Sequence, residues 1–104
     1  MTPESKILDF YRSEFVRLKV KPQRSGVALQ HAAWMIEECL VMKFPDDMYK
    51  INRWIGFVQG VLWKEGIYTI DQMREHVTTA KAAAVAEAET MVTNYWGGAR
   101  DATV

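Results

Sequence analysis

The segment NRWIGFVQGVLW, residues 52–63, decides the fold. Ile55, Val58 and Leu62, with Ile51 just before them, recur at steps of four, three and four, one face of a 3.6-residue helix. The other face carries Asn52, Gly56, Gln59, Gly60 and Trp63, and Trp54, Phe57 and Val61 fill the sides between. A helix apolar on most sides is either buried or shared with another subunit. Gly56 and Gly60 stand one turn apart and clear a strip along that helix. Each helical glycine costs about 0.5–1 kcal/mol relative to alanine. Close approach of another helix backbone can recover that loss, as at small-residue interfaces.

Towards the N-terminus, Phe44-Pro45-Asp46-Asp47 combines a stop and a start. The residue before a proline is pushed out of the α region, and an aspartate can cap the helix that follows. The sequence predicts a third helix over residues 47–65, ended by Gly66 in the left-handed position after the C-cap. It predicts a second helix from a Ser25 cap to Lys43 or Phe44, with Leu29, Ala32, Ala33, Ile36 and Leu40 on one face. Trp34, Met35, Val41 and Met42 widen that face. So short a connection makes the two helices an antiparallel hairpin.

Towards the C-terminus, IYTIDQ at residues 67–72 places Thr69 and Gln72 at capping-box spacing, with Tyr68 positioned to staple onto Met73. Ile70, Met73, Val77, Ala80, Ala84, Ala88, Met91 and Tyr95 continue at helical spacing, giving a long fourth helix with an alanine-rich middle and an end before Gly97-Gly98. At the start of the chain, Thr2, Pro3 and Glu4 suit the N-cap, first position and first turn of a helix reaching Leu18, with Ile7, Tyr11, Phe15 and Leu18 as its stripe. VKPQRSG, residues 20–26, is a basic connection. The expected fold is all-α: a four-helix bundle-like domain over residues 1–96 with a central α-hairpin and a long, alanine-rich last helix, followed by a disordered tail at 97–104.

Composition sets the bounds on function. With 104 residues, 49% hydrophobic and 25% charged, the chain has the make-up of one globular domain. Thirteen basic and thirteen acidic side chains cancel, so no global field favours nucleic acid or an anionic membrane. The balance is uneven, with six basic against three acidic residues in positions 1–24. One cysteine, Cys39, excludes an internal disulfide framework, and with no signal-peptide pattern the expected location is the cytoplasm. No apolar run approaches the roughly 20 residues that span a bilayer.

Complete catalytic sets are missing. Glu37, Glu38, Asp46 and Asp47 could serve a Mg²⁺-dependent, all-α nucleotide pyrophosphohydrolase. The next helix, however, offers Asn52 and Gln59 where the second acidic pair should stand. His31 and His76 with one cysteine do not make a zinc site within one chain, and Cys39 in an apolar helix reads as a small hydrophobe. No catalytic residue, metal or cofactor is expected. Two occupants of the glycine strip stay open: a helix, from this chain or a second copy, or a planar ligand such as a nucleotide. For the ligand, Arg53, Gln59 and Trp63 border the strip, and Lys19, Lys21 and Arg24 are candidate phosphate contacts.

Two stretches, HAAWMIEE at 31–38 and NRWIGFVQGVLWKEGIYTIDQMREH at 52–76, resemble small proteins encoded by tailed bacteriophages, in which an arginine–tryptophan helix with a glycine–glutamine–glycine core precedes a threonine-capped helix. The resemblance covers about the middle half of the chain and carries no established activity. It implies a setting, the host cell cytoplasm, and a role as a host-takeover or counter-defence factor that masks a host protein or sequesters a nucleotide signal. The expectation is a non-enzymatic binding protein working as a homo-oligomer.

Overall fold

The computed structural model describes residues 2–103, with side chains as far as Met91. The chain forms four helices: α1 (Pro3–Arg17), α2 (Ala28–Leu40), α3 (Met48–Lys64) and α4 (Ile70–Thr103). No strand occurs among the described residues, and the expected all-helical fold is correct. Helix α4 runs on to Thr103, past the end expected before Gly97-Gly98, so the backbone of 97–103 is helical where a disordered tail is expected; the side chains there lie outside the described ones.

Local chemistry sets most of the boundaries where the sequence predicts them. Thr2 caps α1 by accepting the Ser5 amide at 3.1 Å, with Pro3 at the first position. The capping box at α4 is complete: Thr69 Oγ1 accepts the Gln72 amide at 3.1 Å and Gln72 Oε1 accepts the Thr69 amide at 2.8 Å. Gly66 takes φ 73° after α3, and the Ile67 amide reaches back to the Leu62 carbonyl at 2.9 Å, closing a Schellman motif. The same closure ends α1 without a glycine. Lys19 adopts φ 59°, and the Val20 amide bonds the Phe15 carbonyl at 2.9 Å.

Three further boundaries differ from expectation. Helix α2 begins at Ala28, not behind a Ser25 cap. Gln30 Oε1 folds back onto the Val27 amide at 3.1 Å and takes the capping role, and a Cβ on Gly26 would fall 2.3 Å from that oxygen. The helix ends at Leu40, short of Lys43, because the Val41 and Met42 amides turn to the Glu38 and Cys39 carbonyls in a tighter i→i+3 pattern. Asp47 precedes α3 without capping it. Its carboxylate points backwards and accepts the Lys43 amide at 2.9 Å, which closes the turn through Pro45.

The core follows the predicted stripes except in α4, where Ile70, Ala88 and Met91 are exposed. Ile51, Ile55, Val58 and Leu62 are all buried, as are Ile7, Tyr11 and Phe15 of α1, joined by Leu8; Ala32, Ala33, Met35, Ile36 and Cys39 of α2; and Met73, Ala80 and Ala84 of α4. Helices α2 and α3 form the expected antiparallel hairpin, with His31 against Phe57 and Trp34 against Trp54. Helix α1 lies centrally, packing on α2, on α4 and more lightly on α3, whereas no comparable packing joins α3 to α4. Helix α4 runs unbroken through Thr78-Thr79, where Thr78 Oγ1 donates to the Arg74 carbonyl at 3.1 Å. Among the described residues its last side-chain tie to the bundle is at Glu87, which pairs with Lys6; Ala88, Glu89, Thr90 and Met91 are exposed. The molecule is accordingly elongated, 57 × 29 × 23 Å.

Candidate functional site

The glycine strip is open. A Cβ built on Gly56 or on Gly60 would meet nothing within 4 Å, so no helix of this chain covers them. The strip flanks the gap between α3 and α4, which contains two adjoining hollows. One, of about 300 Å³, is lined by Gln59, Gly60 and Trp63 from α3 and by Ile70, Met73, Arg74 and Val77 from α4. The other, about 100 Å³, continues past Val77 to Asn52, Ile55, Ala80 and the start of α1. Trp63 and Ile70 are half exposed at the rim. Shape and polarity suit an apolar rod more than a charged ligand, since Arg74 is the one charged group in the larger hollow and its ion pair with Asp71 is long, 3.9 Å.

The predicted strip residues divide between this groove and other duties. Gln59, Gly60 and Trp63 meet there, but Gln59 is engaged: its amide donates to the Tyr11 hydroxyl at 3.0 Å. Tyr11 is fully buried, and its hydroxyl also lies 3.2 Å from His76 Nδ1. Having accepted from Gln59, the hydroxyl can give its own proton to Nδ1, so the neutral imidazole fits this site with its hydrogen on Nε2. Burial lowers the His76 pKa and raises that of Tyr11, against the opposing effect of the Gln59 bond. Beside them Tyr68 packs edge-on against His76 and donates its hydroxyl to Glu14, which also holds Arg17. Burial, reinforced by that carboxylate, pushes the Tyr68 phenol up to about 12. This chain of polar side chains locks α1 to α3 and α4 and leaves no buried side-chain polar atom unpaired among the described residues.

Arg53 is exposed and lines neither hollow, and Lys19 and Lys21 are exposed in the connection after α1. Arg24 belongs to a different place. Its guanidinium lies 5.5 Å from the centre of the Trp34 ring, while its carbonyl accepts a hydrogen bond from His31 Nδ1 at 2.6 Å. His31 stacks on Trp34 at 5.4 Å, Trp34 tilts towards Trp54 at 6.0 Å, and Lys50 Nζ sits 5.0 Å over Trp54. With Met35, Glu38 and Phe57 they line an open groove of about 610 Å³ on the outer side of the hairpin. Sequence reasoning missed this cluster because it searched single helices. The signal was present as His31 and Trp34 on one helix and Trp54 and Phe57 on the next, each pair three residues apart and brought face to face by the short Pro45 turn.

The acidic residues do not converge. Glu37 Oε1 accepts from Arg12 at 3.0 Å, Asp47 is bound to the Lys43 amide, and Glu38 faces the tryptophan groove. Among the described residues no group of three or more His, Cys, Asp or Glu side chains is placed to hold a metal. Cys39 is buried, and burial raises its pKa to about 11, so the thiolate that would act as nucleophile is suppressed. Among the described residues no helix is long and apolar enough to cross a membrane. No protein-family model, curated protein or solved structure matches the chain.

Proposed function

We propose that this chain is a non-enzymatic binding protein that receives a helix in the groove between α3 and α4, assembling first with copies of itself and so presenting a scaffold that masks a host protein. The observation that carries this reading is the uncovered Gly56–Gly60 strip beside two helices that do not close on each other. Two glycines in a helix are a standing loss, and a backbone laid into the strip is the interaction that offsets it.

The occupant is the part of α4 beyond Glu87 in a second copy. From Ala88 to Thr103 that stretch is roughly 24 Å long at the helical rise. An isolated helix of that length is marginal in water, so docking stabilises it. Met91 leaves apolar surface exposed along it, continuing that of Val85 just before it, and Ala88 allows close approach. Glu89 brings negative charge to a strip flanked by Arg53 and Arg74. The resemblance of residues 31–38 and 52–76 to phage proteins supplies the setting of host takeover or counter-defence. The competing Mg²⁺-dependent pyrophosphohydrolase reading has less support, since Glu37 and Asp47 are already engaged elsewhere.

The test is a photo-cross-link. With Arg53 replaced by benzoylphenylalanine, irradiation should join position 53 to α4 of another molecule, read by mass spectrometry of differently isotope-labelled copies. Absence of any intermolecular adduct would remove the self-docking proposal.

A further inference from the structure

The groove on the outer side of the α2–α3 hairpin is separate from the glycine strip and has a polarity along its length. At one end stand Arg24 and His31, tied together by the bond from His31 Nδ1 to the Arg24 carbonyl. That bond places a hydrogen on Nδ1 and turns Nε2 away from the loop. At the other end, one turn beyond the Trp34–Trp54 contact on each antiparallel helix, stand Glu38 and Lys50, both close enough to act electrostatically on Cys39. Glu38 forms no ion pair or hydrogen bond among the described residues, nor does Lys50 beyond its place over Trp54. Between the two ends lie the half-buried indoles of Trp34 and Trp54, with Phe57 at the side.

This arrangement selects its occupant. A purely apolar ligand would strand charges at both ends, and a ring that stacks on the indoles displaces Arg24 and Lys50 from their faces, freeing both for polar contacts with it. A planar ring satisfies the middle of the groove, because stacking on an indole needs only a π-face. The end with Arg24 calls for an anion. The end with Lys50 and Glu38 calls for a ring edge that presents an acceptor next to donors. Guanine has that edge: its O6 accepts, and its adjacent N1–H and N2–H donate to a carboxylate. Adenine presents a lone pair at N1, which a carboxylate repels.

We propose that the tryptophan groove binds a guanine mononucleotide, with the base across Trp34 and Trp54, Lys50 on O6, Glu38 on the N1–H and N2–H edge, and the phosphate at Arg24. The groove's volume lies within the range of roughly 300–1,000 Å³ usual for small-molecule sites. The absence of net charge on the chain argues against a polymeric nucleic acid, whose affinity depends on neutralising many phosphates.

The experiment is a tryptophan-fluorescence titration of the intact protein with GMP, guanosine, AMP, inorganic phosphate and a short single-stranded RNA. GMP should quench saturably. Guanosine and AMP should each bind more weakly by roughly tenfold or more, one lacking the charge and the other the matching edge. Inorganic phosphate should leave the fluorescence unchanged. Arg24→Gln should reduce GMP affinity to that of guanosine, and Glu38→Gln should erase the preference for GMP over AMP. Arg24 is exposed and Glu38 half-buried, and an unchanged melting curve will show that each variant is folded. Trp63→Phe should leave the response intact, because Trp63 lies in the other groove. No saturable response to GMP at millimolar concentration, or wild-type GMP binding by both Arg24→Gln and Glu38→Gln, would overturn the assignment. So would tighter binding of the RNA than of GMP. None of these results bears on assembly through α3 and α4.

Discussion

Replacing the strip glycines by alanine separates what they cost from what they do. Gly56 and Gly60 lie within α3, and a Cβ on either meets nothing within 4 Å, so the folded monomer gives an added methyl no steric resistance. Alanine should therefore recover the helical propensity, about 0.5–1 kcal/mol at each position and about 1–2 kcal/mol for the pair. For a domain of this size each kcal/mol raises the melting midpoint by roughly 4–8 °C. The assay is thermal unfolding by circular dichroism at a protein concentration low enough to keep the chain monomeric, with urea unfolding as the second probe. Gly66→Ala is the control: it too has open space, but its φ of 73° makes an L side chain strained, so it should destabilise by about 1–3 kcal/mol. If Gly56→Ala and Gly60→Ala lower stability in the monomer, something in the same chain already occupies the strip, and the reasoning fails.

Tyr11→Phe removes the hydroxyl that joins Gln59 to His76, leaving both without their partner in a half-buried site; a loss of about 1–3 kcal/mol in urea unfolding is expected. The lowered pKa of His76 gives a pH dependence: the unfolded chain takes up the proton near the ordinary histidine value of 6.5 and the folded chain only below it. This contribution is complete above pH 6.5 and declines as the pH falls through that value towards the lower folded one. A urea midpoint that rises on acidification from pH 7 to pH 5.5 would contradict the assignment. Cys39, buried with its pKa raised to about 11, should resist a thiol reagent at neutral pH until the chain is unfolded; rapid native labelling would contradict its placement.

The parts of the fold that could be read from the sequence are those fixed within a turn or two of helix. The Thr69–Gln72 box, the Thr2-Pro3 start, the left-handed Gly66 and the stripe Ile51, Ile55, Val58 and Leu62 depend on near neighbours, and the structure places them as expected. The start of α2 was misread because Ser25 and Gln30 both offer a capping oxygen. The choice fell to Gln30, for which Gly26 leaves room. Lys19 in the left-handed region carried no sequence signal, as that conformation is imposed by the Schellman closure after α1. The site was less legible for a physical reason. Gln59 reads as a free amide beside a notch, yet it is drawn to Tyr11 and His76, residues distant in sequence. Arg24 reads as a loop charge, yet it settles on Trp34 because the hairpin turns two aromatic pairs towards each other.

The central claim, assembly through the glycine strip, is tested most directly by the mass of the protein in solution. Light scattering over a micromolar concentration series should show the wild-type chain well above its 12.0 kDa monomer mass. The Gly56→Leu, Gly60→Leu double variant, whose Cβ atoms meet nothing within 4 Å in the monomer, should remain at the monomer mass with an undiminished helical signal. A wild-type protein that stays monomeric throughout, or a double variant that assembles as the wild type does, would contradict the account.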